Sequence, residues 1–111
     1  MYDYKEVYTL DFRNVKYYRE VHDIIKNELD FPDYYGCNWD AFWDCMKDMI
    51  VSDPVHIQIV GLEVLQKKDY DDEIGIFLAT LKDCKHYRND KYADSILIEV
   101  IDENGNVTVV E

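Results

Sequence analysis

Only two prolines and four glycines stand among 111 residues, too few for a collagen-like, linker-rich or low-complexity chain. Cysteine is also sparse. Cys37, Cys45 and Cys84 form an odd set, which fits a reducing compartment better than a disulfide framework. Long apolar runs are missing, since no segment reaches the roughly 18 apolar residues that a membrane helix needs. The start, Met1-Tyr2-Asp3-Tyr4-Lys5-Glu6, is polar and lacks the apolar centre of a secretory leader. A cytoplasmic protein is expected. Cations are scarce relative to anions: 12 Lys and Arg face 24 Asp and Glu, a formal net charge of −12. A field of that sign repels nucleic acid and anionic membranes and attracts basic partners.

Against these absences, 48% of the residues are hydrophobic and 14% aromatic, enough for a packed core and too many for disorder. The length predicts a single domain over 1–111. Val7-Tyr8-Thr9-Leu10 reads as a first strand. From Asn14, read as an N-cap, Tyr17, Tyr18, Val21, Ile24, Ile25 and Leu29 recur at helical spacing. That helix should stop near Asp30, because Phe31 precedes Pro32 and is pushed out of helical angles. After a short turn over 32–36, Asn38 caps a second helix reaching Ile50. Val55–Val60 is a strand, and 61–72 a charged connection with Leu62, Val64 and Leu65 turned inward. Asp72 then caps a helix burying Ile74, Phe77, Leu78, Leu81 and Cys84, in which Gly75 costs roughly 1 kcal/mol relative to alanine. Ser95–Ile101 is the strongest strand, and Asn104-Gly105 predicts a type I′ hairpin into Val107–Val110. Helical connections imply parallel strands and the tight turn an antiparallel one. The expected fold is α/β: a small, mostly parallel sheet with helices packed on it and a C-terminal antiparallel edge strand, 102–111 being a hairpin extension.

The acid is concentrated. Between residues 30 and 54 lie six aspartates, Asp30, Asp33, Asp40, Asp44, Asp48 and Asp53, against the single Lys47. The same stretch holds both tryptophans, with Phe31, Tyr34, Tyr35 and Phe42. At about 100° per residue, Trp39, Phe42, Cys45, Met46 and Met49 share one face of the second helix. Asp40, Asp44 and Asp48 form a ridge on the opposite face, with Trp43 at the border. Like charges one turn apart destabilise a helix by about 0.2–0.5 kcal/mol per pair. A solvated face tolerates that easily, whereas a cationic partner would offset it, and a half-exposed tryptophan beside the ridge suits stacking on a guanidinium.

Other chemistries find less support. Asp40 and Asp44 have a spacing that a carboxylate pair for hydrolysis could use, but a convex helix face is a poor cleft, and no enzyme activity is expected. Cys37 and Cys45 lack zinc-site spacing, and Cys84-x-His86 has no second half. His22 and His56 read as a helix-surface and a strand residue. No phosphate loop or nucleophile motif occurs, so neither metal nor cofactor is expected.

The segment Phe31-Pro32-Asp33-Tyr34-Tyr35-Gly36-Cys37-Asn38-Trp39-Asp40-Ala41-Phe42-Trp43-Asp44-Cys45 resembles the signature of the barstar family, small acidic inhibitors of secreted guanyl-preferring ribonucleases such as barnase. The resemblance implies a barstar-like fold and an intracellular inhibitor that plugs a nuclease active site with this helix and the preceding turn. Tyr34, Gly36, Asn38, Trp39, Asp40, Trp43 and Asp44 would then be the partner-binding residues. Asp40 and Asp44 match positions that replace substrate phosphates against active-site arginines, and Tyr34 an aromatic that stacks near the catalytic histidine. The implied partner is a basic, extracellular-type, barnase-like ribonuclease bound by a monomer in a 1:1 complex. The chain departs from the pattern in having Asp48-Met49 where relatives can carry Gly-Trp. Asp83 is the nearest candidate for a further acid on the third helix. Two other readings stay open: a barstar-like module binding a different basic protein, and a carboxylate-dependent hydrolase.

Overall fold

The computed structural model describes residues 7–111, so the polar start Met1–Glu6 lies outside the described residues. In chain order the elements are β1 (Tyr8–Asp11), α1 (Arg19–Glu28), α2 (Trp39–Ile50), β2 (Val55–Val60), α3 (Leu62–Lys67), α4 (Asp71–Lys85), α5 (Tyr87–Asp90), β3 (Ile96–Ile101) and β4 (Val107–Val109). The strands form one four-stranded sheet in the order β1-β2-β3-β4. β1 and β3 flank β2 in parallel, and β4 pairs antiparallel with β3. This is the expected α/β architecture.

Strand alternation decides which side of the sheet is covered. Tyr8 and Leu10 align with Ile57 and Ile59, and Val55 and Ile57 with Ile96 and Ile98. All of these are buried, forming one apolar face against the helices. The intervening Thr9, Gln58, Glu99 and Leu97 face outward, and the Glu99 carboxylate accepts from the Gln58 amide and pairs with His56. Above the covered face, Phe77 of α4 meets Phe12, Trp39 and Phe42 at ring distances of 6.1, 5.5 and 5.4 Å. These contacts lock α2 to α4.

Several local expectations are corrected. α1 begins at Arg19, not after Asn14. The Asp11 carboxylate accepts from the Arg13 amide and Val15 N–H bonds to Phe12 O, so residues 11–15 turn, and Tyr17 is left 72% exposed. The N-cap, Tyr18, makes no side-chain cap bond; the Glu20 carboxylate instead ties down the chain just before the helix, accepting from the amides of Lys16 and Tyr17 at 2.8 Å. At its other end Asp30 takes φ 54° and Phe31 N–H returns to Lys26 O, a left-handed cap that precedes Pro32. The 61–72 connection contains a helix, α3, burying Leu62 and Leu65 while Val64 is only partly covered. Its entry needs glycine: Gly61 has φ 91°, and a Cβ there would lie 2.6 Å from the Arg13 amide nitrogen. Asp72 lies inside α4, whose N-cap is Tyr70. In the C-terminal hairpin, Gly105 at φ 84° is the only loop residue with positive φ among the described residues. Gly105 N–H bonds to Asp102 O and Asp102 N–H to Asn106 O, which makes a three-residue loop rather than the two-residue type I′ turn.

His22 is the largest departure. It is 1% exposed, not on the helix surface. Glu73 accepts from both the Tyr18 hydroxyl and the Trp39 indole N–H. With its proton committed there, the Tyr18 oxygen accepts from His22 Nε2 at 2.9 Å, leaving Nδ1 to accept from the Tyr35 hydroxyl at 2.6 Å. The imidazole is therefore neutral with its proton on Nε2. Burial holds its pKa below the ordinary 6.5, against an opposing pull from Glu73 and Asp23. The unfolded chain takes up this proton as pH falls through 6.5 while the folded one resists, so stability is retained above that pH and lost below it. Urea midpoints should therefore fall between about pH 7.5 and about pH 5.5, with a shallower fall in His22→Gln, which lacks the titrating ring. An identical slope in the two proteins would show that His22 does not govern the acid limb.

Candidate functional site

The turn over 32–38 and the first turns of α2 are built together. Tyr35 N–H closes a turn onto Pro32 O at 2.9 Å, and Tyr35 itself is buried between Phe31 and His22. With Tyr35 pointing inward, its neighbour Tyr34 stands 79% exposed. Cys37 takes φ 54°, reversing the chain so that Asn38 can cap α2 as expected. The Asn38 Oδ1 accepts from Ala41 N–H at 2.8 Å and its amide donates to Gly36 O at 3.3 Å. Gly36 leaves room for that amide, since a Cβ there would sit 3.2 Å from it.

On α2 the helical phase is as the sequence indicates. Phe42, Cys45, Met46, Met49 and Ile50 are buried. Asp40, Asp44 and Asp48 are all exposed, and Trp43 is half-buried at the border. Asp40 sits in the first turn, where the helix dipole favours a carboxylate. Asp44 pairs with Lys47 at 3.3 Å, and the Lys47 ammonium lies 5.2 Å from the Trp43 ring. The lone cation of the segment thus moderates the ridge, a pairing legible in the i, i+3 spacing.

Of the expected partner-binding residues, Tyr34, Gly36, Asn38, Asp40 and Asp44 are exposed and Trp43 is half-buried. Trp39 is half-buried like Trp43: its ring lies 4.6 Å from His22 and 5.7 Å from Phe42, and its N–H donates to Glu73. Asp83 is exposed on α4. The sequence did not reveal a groove of about 720 Å³ beside Tyr34, lined by Asp30, Pro32, Asp33, Tyr34, Asp48 and Val51. Its acids come from the end of α1, the turn and the end of α2, which only the tertiary structure unites. Among the described residues no cluster of three or more His, Cys, Asp or Glu could hold a metal ion, and no helix is long and apolar enough to cross a membrane.

The α/β scaffold presents carboxylates and aromatic rings on the outer face of one helix. Comparison with known families gives the class: residues 5–99 match the model described as Barstar (barnase inhibitor), and the chain belongs to that family. It is also similar to a Bacillus subtilis (strain 168) protein named "Putative ribonuclease inhibitor YrdF", with 56% identity over 36 residues, 32% of this chain and 36% of that protein. The match thus spans little more than a third of that relative's length.

None of the three cysteines is in a disulfide, but they differ in access. Cys45 and Cys84 are buried, and burial pushes the Cys84 pKa up to about 12; Cys37 is partly exposed. Native alkylation followed by mass spectrometry should add one adduct quickly, at Cys37, and two more only on unfolding. Rapid labelling of Cys45 would mean that the helical phase of α2 is wrong. Removing the cap with Asn38→Ala should lower stability by about 1 kcal/mol, measured from urea midpoints.

Proposed function

We propose that the protein inhibits a barnase-type ribonuclease by seating α2 and the 32–38 turn in its active site. The observation that carries this is the exposed surface from Tyr34 through Asp40 and Trp43 to Asp44, in a chain of this family. The nuclease cleft is built to hold RNA phosphates with cationic side chains. Carboxylates on a preformed helix occupy those positions without presenting a bond to cleave. Charge-assisted pairs with arginine supply much of the affinity, and Tyr34 and Trp43 bring rigid area at low entropic cost. The chain acts as a monomer in a 1:1 complex, as a binder and not an enzyme, in the cytoplasm of the cell that makes the nuclease. Asp48 and the groove beside Tyr34 form the far edge of the surface.

Asp44→Ala separates binding from folding. On the free protein it removes the pair with Lys47 but relieves repulsion from Asp40 and Asp48 and improves helix propensity. The urea midpoint should therefore move by less than about 0.5 kcal/mol. In the complex a nuclease arginine loses its partner, and inhibition of barnase should weaken by roughly 2–5 kcal/mol. Unchanged inhibition would remove Asp44 from the interface and the inhibitor reading with it.

Association should also be fast at low salt and slow steeply as the Debye length shrinks from about 30 Å at 0.01 M to about 8 Å at 0.15 M. Such steering is the established behaviour of barnase with barstar, so this expectation follows from family membership. Stopped-flow mixing across that range checks it. A salt-independent rate would reduce the ridge to a solvated surface.

A further inference from the structure

Beside Trp43 runs a row of aromatic rings that carry cations. Trp43 meets Tyr87 edge-on at 5.7 Å, and Tyr87 stacks on Tyr92 at 5.9 Å with 19° between the planes. Each ring of this row has a cation over it. Lys47, Arg88 and Lys91 lie 5.2, 5.3 and 5.5 Å from the centroids of Trp43, Tyr87 and Tyr92. Tyr92 is 8% exposed and roots the row in the core, whereas Arg88 and Lys91 are exposed. Among the described residues neither of these two forms an ion pair, although the chain carries twice as many acids as bases. Unpaired cations at the rim of an acidic ridge are not what solubility requires.

The backbone here is also unusual. Arg88, Asn89 and Asp90 have φ of 57°, 59° and 66°, a run of non-glycine residues in the left-handed region, which such residues ordinarily visit singly. Asp90 N–H bonds to His86 O at 3.3 Å, Ala93 N–H bonds to Asp90 O at 3.1 Å, and the Asp90 carboxylate pairs with the His86 ring. Strain of this kind collects at functional sites. The turn keeps the Arg88 guanidinium against Tyr87, next to Trp43.

We propose that this row is a second docking surface for the same partner, joined to the acidic ridge through Trp43 and Lys47, and that it receives a carboxylate-bearing patch at the rim of the partner's basic cleft. The inference rests on the inhibitor reading and adds a charge pattern to the partner: basic where it meets α2, acidic where it meets α5. A guanidinium stacked on a ring keeps its edge donors free for a carboxylate. Opposite signs side by side fix the register of docking and disfavour nucleases that lack the acidic rim. A phosphate would suit the same cations, but the net charge of −12 repels a polyanion.

The test compares wild type, Arg88→Glu and Asp44→Ala in binding kinetics with a barnase-type ribonuclease that the wild type inhibits, with urea midpoints measured alongside. Arg88→Glu makes the protein more acidic, so steering by net charge alone would speed association. The second surface predicts slower association and affinity lower by about tenfold or more. Where Arg88→Glu lowers the midpoint, Lys91→Glu, which lies outside the left-handed run, takes its place with the same expected loss. Unchanged or faster association, with Asp44→Ala still impaired, would overturn the second surface and leave the inhibitor reading standing. No loss in any variant would sink both. Binding of a single-stranded RNA oligonucleotide by the free protein, abolished in Arg88→Glu, would also overturn the proposal by making the row a phosphate site.

Discussion

A histidine sealed from water must find a partner for each ring nitrogen, and the placement of the 32–38 turn and the start of α2 follows from how His22 finds them. Its two partners are hydroxyls on different segments, Tyr18 and Tyr35, and the Tyr18 proton runs on to Glu73 of α4. Trp39 joins at the same carboxylate. The start of α1, the turn before α2, the first residue of α2 and the first turn of α4 are thus tied by one directional chain of hydrogen bonds. The His22–Tyr35 link is buried, where an unmade bond would cost about 1–3 kcal/mol, and the other links are partly buried. Among the described residues no buried side-chain nitrogen or oxygen lacks a partner. The turn that exposes Tyr34 and the cap that starts α2 are held in place by this arrangement before any partner arrives.

That rigidity matters because a surface built of mutually repelling carboxylates gains most when it need not reorganise on binding. Asp40 sits where the helix dipole welcomes it, Asp44 has Lys47, and all three ridge residues keep their hydration while free. The repulsion that remains is small. The same α2 turns a full apolar face to Phe77 and the sheet, so the core fixes the phase of the ridge. Core packing and the proposed recognition thus fall on two sides of one helix.

Much of this was legible in the residues. The α2 register, the Asn38 cap, the exposed aspartates and the borderline Trp43 follow from spacing alone, because a helix has a single period and a strongly apolar face can point only inward. The strand assignments and the mixed parallel and antiparallel sheet follow from equally local patterns. Misreadings arose where a polar residue had two roles open to it. Asn14 has the chemistry of a cap, but the helix starts later, at Arg19, behind a turn that Glu20 holds through the amides of Lys16 and Tyr17. His22 lies one turn from Tyr18 and beside Val21 and Ile25 on the stripe that α1 buries, so its polarity and not its spacing suggested the surface, and the hydroxyls of Tyr18 and Tyr35 satisfy its ring inside. Asn104-Gly105 is a strong hairpin signal, yet the Asp102 carboxylate, accepting from the amides of Asn104 and Asn106, favours the longer loop.

The sequence by itself determined the class of fold, the acid and aromatic composition of one helix, and the family signature that this helix carries. Those are properties of neighbours along the chain, governed by propensity, periodicity and charge. Tertiary structure alone decided that the Trp39 N–H meets Glu73 and that Asp30, Asp33 and Asp48 line one groove. It also set Tyr87 and Arg88 beside Trp43 across a gap of more than forty residues. Each of these depends on which distant segment packs there, and a contact between distant segments leaves no periodic trace in a single sequence.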